Sequence, residues 1–266
     1  MTACVEFDPD IRRVGHLLAD AARVTILPFF RNASLSAENK LAEGYDPVTE
    51  ADRAAERAMR AILTEQRPND AILGEEYGAV SGTSGLTWVL DPIDGTRGFV
   101  SGTPTWGVLI AVSDVNGPFY GVIDQPYIGE RFEGAPDGAR LTGPMGTSDL
   151  RTIPARPLSQ ATVFTTFPEV GSTQDCAAFQ EVASRAKLTR YGMDCYAYAL
   201  VAAGQVDLVI EAGLAPHDIQ GPIAVVQAAG GIVTNWQGGP AHEGGRAIAA
   251  ANESVHAEAL EILKDY

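Results

Sequence analysis

The stretch from Trp88 to Phe99, WVLDPIDGTRGF, constrains this chain more than any other. An apolar run of Trp88, Val89 and Leu90 drives into Asp91, followed by Pro92, Ile93, a second carboxylate at Asp94, then Gly95 and Thr96. Aromatic and β-branched residues that stop at Pro and Gly read as a buried strand ending in a tight turn. Both carboxylates then fall at a strand's carboxyl end, where open α/β sheets place ligands. Two acids held together repel and shift each other's pKa unless a cation sits between them. A hard cation such as Mg²⁺ takes such oxygens, together with a backbone carbonyl and waters. A solvated Asp-Gly turn uses the same residues, so the rest of the chain has to choose between the two.

The pattern of an element ending in an acid recurs. Ala71, Ile72 and Leu73 make a short buried strand that stops at Gly74-Glu75-Glu76. Val206 to Glu211 is a strand ending in a carboxylate, and Asp218 caps a helix through Ala229. In DPVTEAD, Thr49 followed three residues later by Asp52 resembles a capping box, opening a helix with Ala55, Ala58, Met59 and Ile62 on one stripe. Each acid alone has a plain structural reading, as a cap or a solvated end. Several together suggest a multi-metal oxygen site. Other chemistries fit poorly: the chain has no GxSxG and no GxxxxGK[ST], and His16, His217, His242 and His256 show no HExxH or zinc spacing.

Composition narrows the class. At 266 residues the chain can bury the core of one large domain or two moderate ones. Its longest apolar run, near Trp106 to Val112, falls far short of the roughly 18 residues a membrane helix needs. MTACVEFDPD lacks the basic-then-apolar order of a signal peptide, and Cys4, Cys176 and Cys195 are odd in number and widely spaced. Both features point to free thiols in a reducing cytoplasm. A net charge of −15 repels nucleic acid and anionic membranes. It also repels phosphorylated metabolites, so a phosphate-bearing substrate needs a local reversal of sign, which bound metal ions supply.

Along the chain, Asp8-Pro9 opens a helix running to about Phe30, followed by a polar loop, 32–44, that contains Lys40. Asn116-Gly117 and Asp137-Gly138 are hairpin turns between β-rich runs. The aperiodic stretch 147–158 marks the crossing between an N-terminal half, 1–147, and a C-terminal half, 148–266. In the second half, strands at 163–166, 206–211, 232–233 and 247–250 alternate with helices at 173–186, 194–203, 218–229 and 253–263. The class is α+β.

DPIDGTRGF, GEE upstream of it, DPVTEAD before that and EAGLAPHDIQGPIAVVQAAGG downstream resemble, in order, the motifs of the inositol monophosphatase family of Mg²⁺-dependent phosphatases. The resemblance covers roughly Lys40 to Gly231. It implies a layered α/β/α/β/α sandwich of two α+β halves with the site between them, and a homodimer. It implies that Glu75, Asp91, the Ile93 carbonyl, Asp94 and Asp218 bind two Mg²⁺ ions, with a third, looser one also allowed. Thr96 and Asp52 match the pair that orients the attacking water, alongside Glu75. The backbone of Gly95 and Thr96 matches the phosphate cradle, Glu211 a substrate-contacting acid, and Lys40 falls in the region of a family lysine. The family usually has an aromatic before its last ligand, where this chain has His217.

GVIDQPYIGER (121–131) and RYGMDCYAYA (190–199) resemble the histidinol-phosphate phosphatase branch, except that Met193 stands where that branch has glycine. This directs the choice of alcohol to Asp124, Arg190, Asp194 and Glu211, and carboxylates such as Asp194 and Glu211 suit an ammonium better than a neutral polyol. The implied reaction is hydrolysis of a small phosphate monoester, L-histidinol phosphate ahead of inositol, sugar or nucleotide 3′-phosphates. A non-catalytic metal-binding relative is disfavoured because every matched catalytic position keeps its chemistry.

Overall fold

The computed structural model describes residues 7–32, 37–39 and 47–266. Helix α1 (Pro9–Ile26) begins as expected, with the Asp8 side chain accepting from the Asp10 N–H at 2.9 Å. It stops short of Phe30: Leu27 still has helical angles, but Pro28 has no N–H to continue the ladder. Strands β1 (Ala37–Asn39) and β2 (Pro47–Thr49) form a ribbon that leads into α2 (Glu50–Gln66). Lys40 lies outside the described residues.

Strands β3 (Ala71–Gly74), β4 (Gly78–Val80), β5 (Thr87–Asp94), β6 (Gly107–Asp114), β7 (Gly117–Gln125), β8 (Glu130–Ala135), β9 (Gly138–Gly143) and β10 (Gly146–Asp149) build an eight-stranded sheet in the order β10-β9-β8-β7-β6-β5-β3-β4. It is an antiparallel meander except where β3 runs parallel to β5. The short helix α3 (Thr96–Ser101) follows β5. Strands β11 (Thr162–Thr165), β12 (Leu188–Tyr191), β13 (Leu208–Leu214), β14 (Ile232–Thr234) and β15 (Gly245–Ala250) form a five-stranded sheet ordered β12-β11-β13-β15-β14. The remaining helices are α4 (Thr173–Arg185), α5 (Asp194–Ala202), α6 (Pro216–Ala228) and α7 (Glu253–Leu263). The division expected at 147/148 falls inside β10.

The layers follow from which faces are apolar. α1 and α2 pack on each other and on one face of the larger sheet, through Leu18, Ile26, Met59, Trp88 and Trp106. α5 and α6 fill the space between the two sheets, with Leu109, Ile123, Ile219 and Val225 in contact. α4 and α7 cover the far face of the smaller sheet around Phe179, Trp236 and Ile248. The result is the α/β/α/β/α sandwich. It explains the apolar run 106–112: β6 has helices on both faces and is buried at every position but its last. Strands covered on both faces read as continuous apolar runs. Each such side chain contributes about 2 kcal/mol of burial. Among the described residues, no helix is long and apolar enough to cross a membrane.

The middle layer brings the two halves together. A Cβ on Gly121 of β7 would lie 2.4 Å from the Gly221 carbonyl oxygen, so only glycine lets α6 settle this closely on the sheet. That seating carries the start of α6, with Asp218, up to the end of β5.

Candidate active site

β5 does not stop at Asp91. It runs on to Asp94, with a register shift against β6 between the two acids. Pro92 has no N–H to lose from the ladder, and the Ile93 N–H turns to the Asp91 carboxylate at 3.0 Å. The Ile93 carbonyl accepts from the Thr96 hydroxyl at 3.0 Å. Gly95, at φ 81°, turns the chain into α3. A Cβ there would sit 2.8 Å from Asp194, so glycine is required both by the backbone angle and by its neighbour.

From the second half, the Cys195 N–H at the start of α5 donates to Asp94 Oδ2 at 2.6 Å. Asp194 itself is in the left-handed region at φ 44°, a strained backbone for a non-glycine residue. It is the first residue of α5 rather than its cap; the cap position is Met193, which makes no side-chain bond. Asp218 is likewise inside α6, at the third position, and accepts from the Ala215 N–H at 2.7 Å. Asp52 is the third residue of α2 and completes the expected capping box, taking the Thr49 N–H at 2.8 Å and hydroxyl at 2.6 Å. Its other oxygen is buried without a hydrogen-bond partner among the described residues. The cap and the functional reading of Asp52 are therefore compatible, because one oxygen caps and the other is left over.

These elements enclose a cleft of about 300 Å³. Glu75, Asp91, Ile93, Asp94, Gly95, Thr96, Asp194, Glu211 and Asp218 all line it. Asp52 stands behind this wall, its charge coupled to that of Glu75. Two expected residues are not brought in. Asp124 is fully buried on the opposite side of the sheet, bonded to Arg23 at 2.8 Å and Arg131 at 2.7 Å. It ties α1 to β7 and β8 and is withdrawn from the substrate side. Arg190 is exposed on β12 and does not line the cleft.

Other residues escaped the sequence reading. Arg97 lines the cleft and stacks on Phe167 at 4.6 Å. A cation directly after the Gly95-Thr96 turn of so acidic a chain was a visible signal. Tyr198 lines the cleft one turn after Asp194, on the same helix face, and its buried hydroxyl has no hydrogen-bond partner among the described residues. Glu56, fully buried in α2, takes the Glu76 N–H at 2.7 Å and the Tyr77 N–H at 3.2 Å, and so fixes the loop that carries Glu75. From sequence it is one more helix acid.

The electrostatics are those of a cluster of acids short of a counter-charge. Burial raises Asp91 well above the usual carboxylate range, and Glu75, Asp94 and Asp218 add repulsion. Burial also raises Asp94, with Asp194 and Asp218 next. Asp218 is raised by burial against a lowering from His217. Asp52 is pushed up to about 6 by burial, which outweighs the Thr49 bonds. Asp194 reaches about 6 and Glu211 about 7, again through burial, although Thr166 and Thr165 hydrogen-bond Glu211. Ligand oxygens of Asp91, Asp94 and Asp218 lie within 4.8 Å of one another, and so do donors of Glu75, Asp91 and His217. Hard oxygen donors that repel one another around a shared point fit one or more divalent cations.

Comparison with known proteins agrees with this geometry. A family model described as the inositol monophosphatase family matches residues 11–266. The chain is 38% identical over 262 residues to the chloroplastic bifunctional phosphatase IMPL2 of Arabidopsis thaliana, covering 94% of this chain and 74% of that one. It is 34% identical over 261 residues to the histidinol-phosphatase of Streptomyces coelicolor, covering 96% and 97%. A solved inositol monophosphatase from Zymomonas mobilis superposes with a TM-score of 0.85 at 37% identity, covering 96% of this chain and 98% of that one.

Proposed function

The chain belongs to the inositol monophosphatase family, and on that premise we propose that it hydrolyses a phosphate monoester whose alcohol carries a cationic amine, L-histidinol phosphate first among them. Phosphatase chemistry on small monoesters, with Mg²⁺, is the family's. The observation that carries the finer reading is a second set of acids on the alcohol side. Asp194 and Glu211 line the cleft beside the metal-type acids, and both come from the C-terminal half. Asp194 is held there at a strained φ of 44°. Strain kept at a cleft residue is a mark of use, and two carboxylates suit an ammonium.

In this reading Glu75, Asp91, the Ile93 carbonyl, Asp94 and Asp218 hold the Mg²⁺ ions. When bound, these would supply Lewis-acid activation of water and neutralise charge on the phosphate. The chain's own groups do the rest. Glu75 and the Thr96 hydroxyl orient the attacking water, and Asp52, behind the wall, is the carboxylate to which its proton is passed. The Gly95 and Thr96 amides receive phosphate oxygens in the turn before α3. Arg97 puts a positive charge on the rim of an otherwise acidic entrance. Asp194 and Glu211 fix the amine, which places the ester in line for attack.

A broader inositol or sugar monophosphatase is the second reading. It is favoured by the 37% identity to the Zymomonas mobilis inositol monophosphatase and by the ability of carboxylates to accept from sugar hydroxyls. Phosphate release from L-histidinol phosphate and from inositol 1-phosphate, with Mg²⁺ and with chelator, decides. Preference for the amine ester is expected. Preference for the inositol ester would put the second reading in its place, and no turnover of either with Mg²⁺ would make the chain a binding protein.

A further inference from the structure

One metal-type donor beside the cleft's acids is a nitrogen. His217 stands immediately before Asp218 in the first turn of α6, and its side chain is 20% exposed. A ring nitrogen of His217, an oxygen of Glu75 and an oxygen of Asp91 lie within 4.8 Å of one another. The adjoining group of Asp91, Asp94 and Asp218 meets the same limit with oxygens only. The two groups share Asp91 and differ in the chemistry of their donors.

Asp218 does not claim the ring as a hydrogen-bond partner. His217 Nε2 is 3.5 Å from Asp218 Oδ1, longer than a normal N–H···O bond. The ring thus stands among three acids, Glu75, Asp91 and Asp218. Imidazole suits transition ions such as Zn²⁺, Fe²⁺ and Ni²⁺, and Mn²⁺, the hardest of that series and also at home among carboxylates, still accepts a nitrogen donor more readily than Mg²⁺ does. Mg²⁺ favours oxygen and gives up water reluctantly. One imidazole in place of a carboxylate therefore shifts a site's preference away from Mg²⁺.

We propose that His217 makes the Glu75–Asp91 position a mixed nitrogen–oxygen metal site that prefers Mn²⁺ to Mg²⁺, while the Asp91–Asp94–Asp218 position is an all-oxygen site suited to Mg²⁺. The inference rests on the metal-dependent part of the proposed function and is independent of the substrate. It gives the shared Asp91 the task of joining two chemically different ions. It also sets a loading order, since the first equivalent of Mn²⁺ enters at His217.

The test uses the full chain, stripped with chelator and given one equivalent of MnCl₂. Pulsed electron paramagnetic resonance reads nitrogen directly bound to Mn²⁺, and the wild-type protein should show the echo modulation of a ligated imidazole. His217→Phe should lose it. By titration calorimetry the same substitution should raise the Kd for Mn²⁺ about tenfold or more, and that for Mg²⁺ less than about threefold, the scale on which altering a histidine's place at a metal site acts. Mn²⁺ bound to wild type without nitrogen modulation would overturn the proposal, and so would an equal weakening of both ions in His217→Phe. Binding of neither ion to the wild-type chain would instead overturn the metal reading of the cleft as a whole.

Discussion

Two sets of buried or half-buried carboxylates in this molecule are treated in opposite ways. Away from the cleft and from Asp52 behind its wall, the described buried acids have cations. Asp124 lies between Arg23 and Arg131, Asp70 meets Arg67, Glu56 meets Arg60, and Asp207 is gripped by both nitrogens of the Arg156 fork. Glu133 is bonded to Arg12 and His16. In the cleft, Asp91, Asp94 and Asp218 face one another instead. The titration behaviour divides along the same line. Burial raises Asp70 and Glu133 too, but hydrogen bonds from Ser84, Arg67 and Trp88 in the first case, and from His16 and Arg12 in the second, hold both below their usual range. At Asp91 and Asp94 the neighbouring acids add to burial, and the Cys195 bonds to Asp94 do not overcome it. An uncompensated buried charge costs several kcal/mol, and elsewhere the chain neutralises its own. The lesson is that the cleft is built to receive its positive charge from outside.

The comparison can be broken from either side, and the largest effect should come from the cleft. Asp94→Asn should reduce turnover about 1000-fold or more, since a metal's stabilisation of developing charge is worth several kcal/mol. The same change relieves repulsion, so the chelated protein should melt no lower than wild type. Phosphate release and thermal melting read the two quantities separately. Full activity would refute Asp94 as a ligand. The opposite change is Asp124→Ala, which leaves Arg23 and Arg131 without their shared partner. It should cost about 3–4 kcal/mol in denaturant unfolding, with little change in turnover by the molecules that remain folded. A loss of activity without a loss of stability would return Asp124 to the substrate side.

That second prediction also shows where sequence reading runs out. Acids at element ends were legible because strand ends, caps and turns are written locally: Leu90-Asp91, Thr49 with Asp52, Asn116-Gly117. The five layers followed from the family resemblance that those local motifs carry. Neutralisation is not local. Arg23 and Asp124 are 101 residues apart, and nothing near GVIDQPYIGER says that this aspartate faces α1 while Asp94 faces the cleft. Glu56 was illegible for the same reason, because its partners are the backbone of a loop 20 residues on. Asp194 could be placed at a helix start from sequence, but its left-handed backbone depends on packing against Gly95 across the two halves. Edge strands such as β4, β10 and β12 leave little mark in the sequence, because strands paired on one side need little apolar character.

A third effect, smaller, follows from pH. Glu211 has a folded pKa of about 7 against an ordinary 4.5. For an acid raised on folding, the unfolded state holds fewer protons, so its contribution is fully present below about pH 4.5 and is lost as pH rises through about 7. Glu211→Gln should therefore unfold much like wild type in acid and become more stable above pH 7, by roughly 2–3 kcal/mol. Glu133 runs the other way. Its folded pKa lies below 4.5, so its contribution is present above that value and is lost as pH falls through the folded pKa. Glu133→Gln should be destabilised at neutral pH, with the difference closing in acid. Urea midpoints from pH 4 to 8 in chelator would test both, and parallel pH profiles for the two variants would abolish the distinction drawn between cleft and scaffold.

The smallest effect concerns the one neutral member of the cleft's unsatisfied groups. Tyr198 is 4% exposed and its hydroxyl meets no partner among the described residues. A buried hydroxyl left unpaired costs about 1–3 kcal/mol, while the ring fills the space whether or not the oxygen is there. Tyr198→Phe should thus stabilise the ligand-free protein by about 1 kcal/mol, a rise of a few degrees in melting temperature at most. Scaffold hydroxyls give the opposite sign. Removing the Tyr120 hydroxyl, which donates to Glu133 at 3.3 Å, should destabilise by a similar amount. If both phenylalanine variants melt lower than wild type, Tyr198 has an internal partner in solution, and the line between satisfied scaffold and unsatisfied cleft stops at the carboxylates.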